Sequence, residues 1–240
     1  ERAIDFISAH NVGNLPIVLG VGGNDTASVC QKIEYWTDKY DPAAFLSVSP
    51  YYNKPTQEGI FQHFELVCGA TDTPIILYNV PGRTSSNMLP ETVFRIAKAC
   101  PNAVAIKDAS GNLEQGMEMV ANKPEGFSVL SGDDLLALPQ MAIGFDGVIS
   151  VSANAFPAEM SGLINAARAG DFATARQLHY QLLKVTQLLF AEGNPAGVKA
   201  CLDLMGVIGP DVRLPLVEAS ESLRTRIQAE IEKISAKVKA

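Results

Sequence analysis

Cysteine and histidine are scarce in this 240-residue sequence, and neither clusters. Cys30, Cys68, Cys100 and Cys201 form no CxxC pair, and no signal-peptide pattern opens the chain, so the expectation is a cytoplasmic protein with reduced thiols. His10, His63 and His179 are equally dispersed, and no metal-ligand spacing is present, so no metal or other cofactor is expected. Long apolar runs are also missing: none reaches the ~18 residues of a membrane span, which argues against a membrane protein. Basic residues number 19 against 26 acidic ones, giving a net charge of −7, and they are scattered, which disfavours nucleic acid as a partner. There is no GxSxG, and no histidine lies near a plausible serine nucleophile, so a serine hydrolase has no support.

What remains is 47% hydrophobic and 19% charged, an ordinary globular composition organised as alternating strand and helix patterns. Continuous apolar runs occur at 17–19, 44–48, 75–78, 103–106, 128–130 and 147–151, as expected for parallel strands covered on both faces. Helical patterns fall between them at 26–37, 56–70, 90–99 and 134–142; Pro90 suits a first helical turn, and Asp134 is expected to cap the helix that follows it. From Pro157 onward only helices are expected, at 157–169, 171–190, 195–206 and 216–238. The division is therefore a six-stranded β/α portion over 1–156 and a C-terminal helical domain over 157–240.

Two parallel architectures compete. In Gly20-Val21-Gly22-Gly23-Asn24-Asp25 the sixth position of a dinucleotide fingerprint is occupied by a carboxylate, which disfavours a nucleotide-binding sheet. A barrel puts its chemistry at the C-terminal ends of its strands, where this sequence is rich in reactive side chains, so a barrel is the preferred class. Run 103–106 leads into Lys107, which closes the strand, and then into a polar turn over 108–112. Desolvation there would favour a neutral amine able to attack a carbonyl; the lysine can equally reach solvent or pair with Asp108. Tyr78 ends its strand and can shuttle a proton or simply pack, and Arg83 in the loop beyond can clamp a carboxylate or make a surface ion pair. Tyr51 and Tyr52 follow the 44–49 run in an exposed turn, and Gly132 lies in what reads as a helix N-terminus. Asn24-Asp25-Thr26 fits a glycosylation pattern, read as coincidence in a cytoplasmic chain.

Several segments resemble the dihydrodipicolinate synthase family. They are Ser49-Pro50-Tyr51-Tyr52-Asn53-Lys54-Pro55-Thr56-Gln57-Glu58-Gly59, Leu77-Tyr78-Asn79-Val80-Pro81-Gly82-Arg83-Thr84, Ala105-Ile106-Lys107-Asp108-Ala109-Ser110-Gly111-Asn112, Leu130-Ser131-Gly132-Asp133-Asp134 and Gly147-Val148-Ile149-Ser150-Val151. Asn194-Pro195 with Val198-Lys199, and Arg213-Leu214-Pro215-Leu216, extend the likeness into the tail. The resemblance implies a (β/α)₈ TIM barrel with a C-terminal helical domain, usually a homotetramer, that condenses pyruvate with aspartate 4-semialdehyde on the route to lysine and diaminopimelate. It implies that Lys107 forms the Schiff base, that Tyr78 donates and accepts protons, and that Tyr52 enters a neighbouring subunit's site to complete a Tyr-Thr-Tyr relay. It further implies that Arg83 receives the semialdehyde carboxylate and that Gly132 and Ile149 line the pyruvate pocket. No metal is needed for such chemistry.

Three departures accompany the likeness. Asp108 stands where most members carry Glu. Ser28 stands four residues after Asn24, where lysine-inhibited members carry Glu, so weak lysine feedback is expected. The family's first two strands and the segment with the relay threonine have no counterpart before Glu1, which opens in an uncapped helical pattern. N-acetylneuraminate lyase and 2-keto-3-deoxy-sugar acid aldolases share the lysine and tyrosine but typically lack the arginine. An inactive barrel fragment with an assembly or regulatory role is the reading from a different class.

Overall fold

The computed structural model describes residues 1–238, with side-chain surroundings through Ala236. Six strands are present, β1 Val18–Val21, β2 Ala44–Val48, β3 Ile75–Asn79, β4 Ala103–Asp108, β5 Ser128–Ser131 and β6 Gly147–Val148, and they neighbour one another in sequence order. The helices are α1 Arg2–Ala9, α2 Thr26–Tyr40, α3 Gln57–Gly69, α4 Pro81–Thr84, α5 Pro90–Ala99, α6 Leu113–Asn122, α7 Ala137–Ala142, α8 Pro157–Arg168, α9 Phe172–Phe190, α10 Ala196–Leu204 and α11 Glu221–Val238. This is an α/β fold with parallel strand pairing. Among the described residues, no helix is long and apolar enough to cross a membrane.

The chain divides into two compact units, Glu1–Ile106 with Asn122–Ser128, and Lys107–Ala121 with Val129 onward. In the first unit β1 pairs with β2 and β2 with β3, in register Val21↔Ser47 and Val48↔Tyr78. Both faces are largely buried along β2 and β3, which is why these two strands read as unbroken apolar runs, whereas β1 exposes Val18 and Gly20. Ala44, Ile76 and Ala105 form one cluster with Leu46, whereas Phe45, Ile75 and Leu77, one step along the pleat, are fully buried on the opposite face. Val29 and Ile33 of α2, Ile60, Phe64 and Val67 of α3, and Val93 and Ile96 of α5 are also buried. Each such side chain contributes about 1.5–3 kcal/mol by leaving water. Local signals set the helix starts: the Asp25 and Thr56 side chains accept the amides of Ser28 and Gly59, and Pro90 occupies the first turn of α5. The Asn24-Asp25-Thr26 triplet is thus the entry to α2.

In the second unit β5 pairs with β6, Leu130 opposite Gly147 and Ser131 opposite Val148. α8, α9, α10 and α11 bury Leu163, Ala175, Leu182, Val185, Leu189, Ala200, Cys201, Leu223 and Ile227. Two expectations change here. β6 ends at Val148 instead of running to Val151. Asp134 does not cap α7, which begins at Ala137; its Oδ2 accepts the amides of Val151 at 3.0 Å and Ser152 at 2.7 Å. The Val151 amide is thus turned to Asp134, and Ser152 opens a 3₁₀ turn over Ser152–Asn154.

Candidate active site

The candidate residues sit at strand ends, and each unit holds its own set. In the first unit, β3 ends on Tyr78 and Asn79, and the chain then closes one short helical turn, α4, that carries Arg83. The sequence reading placed Arg83 in a loop; the turn exists because the amides of Arg83 and Thr84 both donate to Val80 O, at 2.9 and 3.0 Å. Ser85 ends it in the left-handed region, with φ 58°. Tyr78, Arg83 and Tyr51 line one cavity of about 350 Å³ with Gly20, Gly22, Leu46 and Val48, which are mostly apolar walls at the ends of β1 and β2. Burial pushes the Tyr78 phenol above its ordinary range, and the nearby Arg83 charge opposes the shift. The hydroxyl therefore stays protonated at neutral pH, as a proton donor must. A Cβ at Gly22 would overlap Val48 Cγ1, so any larger residue there forces Val48 to move.

The turn after β2 presents Tyr52 outward: it is 86% exposed with φ 74°, and Lys54 also has a positive φ of 48°. Asn53 steadies this turn by donating from Nδ2 to Asn24 O at 3.0 Å. Behind Asn24, Thr26 Oγ1 and His63 Nδ1 share a hydrogen bond of 2.8 Å. His63 is buried against the edge of Phe64, and desolvation lowers its pKa to about 4.

In the second unit, Lys107 is half-buried and lies within β4, which runs through Asp108 where a polar turn was expected. Asp108 is fully buried; its Oδ2 accepts from Ser110 Oγ at 2.7 Å, and its carbonyl accepts the Gly132 amide at 2.7 Å. Gly132 is tight against the lysine, because a Cβ there would lie 3.0 Å from Lys107 Cε and 2.8 Å from Ala109 Cβ. The Ile149 amide donates to Ser131 O at 2.9 Å, which sets Ile149 beside the end of β5. Among the described residues, no group of three or more His, Cys, Asp or Glu side chains could hold a metal ion. Sequence reasoning missed the carboxamides around Arg83, those of Gln57, Asn79 and Asn87, because they meet only through folding.

A parallel α/β fold with reactive side chains at its strand ends is the arrangement of a class of enzymes that carry their chemistry there. The comparisons with known proteins narrow the class. The profile of the Dihydrodipicolinate synthetase family matches residues 4–234, and the chain belongs to that family. It is 49% identical over 238 residues to the 4-hydroxy-tetrahydrodipicolinate synthase of Parabacteroides distasonis, covering 99% of this chain and 80% of that protein. Among solved structures it is similar to dihydrodipicolinate synthase from Aquifex aeolicus, with TM-score 0.93 and 39% identity, covering 98% of this chain and 80% of that one. It is also similar to a structure described as the first monomeric dihydrodipicolinate synthase variant, with TM-score 0.91 and 37% identity over 98% of this chain and 77% of that one.

Proposed function

We propose that this chain is a lysine-imine carbon–carbon lyase that condenses pyruvate with L-aspartate 4-semialdehyde to give 4-hydroxy-tetrahydrodipicolinate, in lysine and diaminopimelate biosynthesis. The observation that carries the reading is the family match over residues 4–234, a span that includes every residue given a role. Lys107 Nζ attacks the ketone carbon of pyruvate, and water leaves to form the imine. The imine draws electrons from the neighbouring methyl group, so loss of a proton gives an enamine whose carbon attacks the aldehyde of the second substrate; the amine of that substrate then adds to the imine carbon and expels Lys107 Nζ as the ring closes. Tyr78 carries the protons these steps release and consume. Arg83 receives the semialdehyde carboxylate in two parallel hydrogen bonds, which supports a small carboxylated aldehyde over a sugar acid. Gly132 and Ile149 form the pyruvate wall, a role supported by the closeness of Gly132 to Lys107 Cε. No cofactor takes part.

The finer fold we propose is a (β/α)₈ barrel of which residues 1–156 carry six strands, followed by a helical domain over 157–240. The enzyme works in the cytoplasm as a homo-oligomer, a tetramer, in which Tyr52 enters the site of a neighbouring subunit. The outward exposure of Tyr52 supports this, as does the description of a similar structure as a monomeric variant.

Borohydride reduction in the presence of pyruvate tests the core of the reading. The expected result is a reduced pyruvate adduct located by peptide mass mapping on Lys107 and absent from Lys107→Ala. An unmodified Lys107 under saturating pyruvate would overturn it. Arg83→Ala tests the second substrate: KM for the semialdehyde should rise while the adduct forms as before.

A further inference from the structure

We propose that Asn79, Asn87 and Gln57 are positioning residues that hold Arg83 for its carboxylate, making the enzyme's preference for a carboxylated aldehyde depend on a clasp of neutral carboxamides. The inference deepens the proposed function and rests on the role it gives to Arg83.

The clasp closes the loop from both sides. Asn79, fully buried at the end of β3, donates from Nδ2 to Asn87 Oδ1 at 2.9 Å and accepts the Met88 amide on Oδ1 at 2.9 Å. The segment from Val80 to Asn87, with Arg83 at its middle, is thereby pinched shut at its base. Gln57, in the first turn of α3, grips the same segment from the other side. Its Nε2 donates to Asn87 O at 2.7 Å, while its Oε1 accepts the Leu89 amide at 3.1 Å and the Thr92 hydroxyl at 2.6 Å. Inside the loop the Thr84 hydroxyl, buried, donates to Ser86 O at 2.8 Å and accepts the Ser86 amide at 3.2 Å. Met88, which follows the clasp, is itself fully buried, so the loop's exit is fixed.

Arg83, by contrast, is exposed on a single helical turn. A long, solvated arginine has many rotamers, and two-point recognition of a carboxylate requires its guanidinium to be delivered in one plane. The backbone under it supplies a restraint that does not compete with substrate. Asn79 and Gln57 hold that backbone by three hydrogen bonds, to Asn87 O and from the Met88 and Leu89 amides, while two more tie them to the Asn87 and Thr92 side chains; none of the five involves the guanidinium. A misplacement of about 1 Å at such a group lowers the efficiency of a reaction roughly 100-fold.

The test uses the full chain with Asn87→Ala, Asn87→Asp and Gln57→Met. Asn87→Ala removes the acceptor for Asn79, whereas Asn87→Asp keeps it. Asn87→Ala and Gln57→Met should each raise KM for aspartate semialdehyde about 10-fold or more, with pyruvate adduct formation on Lys107 within 2-fold of the parent, and Asn87→Asp should restore most of the loss. Combining either with Arg83→Ala should add little, because the arginine through which they act is gone. The proposal is overturned if these variants lose thermal stability while KM for the semialdehyde stays unchanged, or if they raise it equally in the Arg83→Ala background. If Arg83→Ala alone leaves that KM unaltered, it is the role of Arg83 that fails, and the clasp has nothing to position.

Discussion

Two turns of the first unit leave adjacent parallel strands, yet they are held in opposite ways. The turn after β2 throws Tyr52 outward on a backbone with positive φ and is tied to the entry of α2 by the contact from Asn53 to Asn24 O. The turn after β3 closes into helical form and is locked by Asn79 and Gln57. Their supports also differ in chemistry. The β3 clasp consists of carboxamides and hydroxyls, which do not titrate. The β2 turn leans on α2, whose first turn is joined to a buried histidine. Tyr52, which we propose serves another copy of the protein, is offered outward, whereas Arg83, which we propose receives substrate, stands on a fixed backbone.

The comparison is broken most severely at Tyr78. Tyr78→Phe should lower kcat by about 10²–10⁴-fold, measured by turnover in the coupled assay. Mixing that variant with Tyr52→Phe and allowing subunits to exchange should recover part of the activity, because in a mixed pair one site regains both hydroxyls. No recovery would mean that Tyr52 serves its own chain.

Acid should separate the loops next. His63, ordinarily titrating near 6.5, is lowered to about 4 by burial. Between those values the unfolded chain takes up a proton that the folded chain refuses. The stability linked to a neutral His63 is therefore complete above about pH 6.5 and is lost as pH falls toward 4, by up to about 3 kcal/mol. Urea unfolding from pH 7 to 4.5 checks this, and His63→Asn should flatten the slope. The β2 turn should loosen before the β3 turn, seen as earlier amide exchange around Asn53 than around Met88.

Gly22→Ala is a smaller and more local break. Its Cβ would strike Val48 at the end of β2, costing about 1–3 kcal/mol, read as a lower Tm. The smallest effect expected is that of L-lysine on the rate. Ser28 spends its hydroxyl on Asp25 Oδ2, beside the entry to α2, and offers no carboxylate there. Saturating lysine should leave the initial rate nearly unchanged, and strong inhibition would refute this.

Much of this arrangement is legible in the order of residues. The unbroken apolar runs mark β2, β3 and β4, Thr56 and Pro90 mark helix entries, and Lys107 and Tyr78 stand out because reactive groups close apolar runs. What was not legible depends on partners far apart along the chain. Nothing local announces that Gln57 will accept from Leu89 and Thr92, since the bonds span 32 and 35 residues. Likewise the apolar composition of β6 continues to Val151, but the Val151 amide turns to Asp134, 17 residues away. β4 runs one residue past Lys107, where the apolar run closes, because folding buries the Asp108 carboxylate completely.

Asp134 has a practical consequence for anyone altering this enzyme. By its place after Ser131-Gly132-Asp133 it looks exchangeable for serine or threonine, the usual substitutes at a helix start. Its acceptor oxygen is spent elsewhere, on the turn that follows Ile149, so a shorter hydroxyl would leave two amides stranded while α7 went untouched. A library built on helix-start preferences would thus discard variants for a fault in the wrong element. One that pairs position 134 with positions 151 and 152 would sample the constraint as the molecule enforces it.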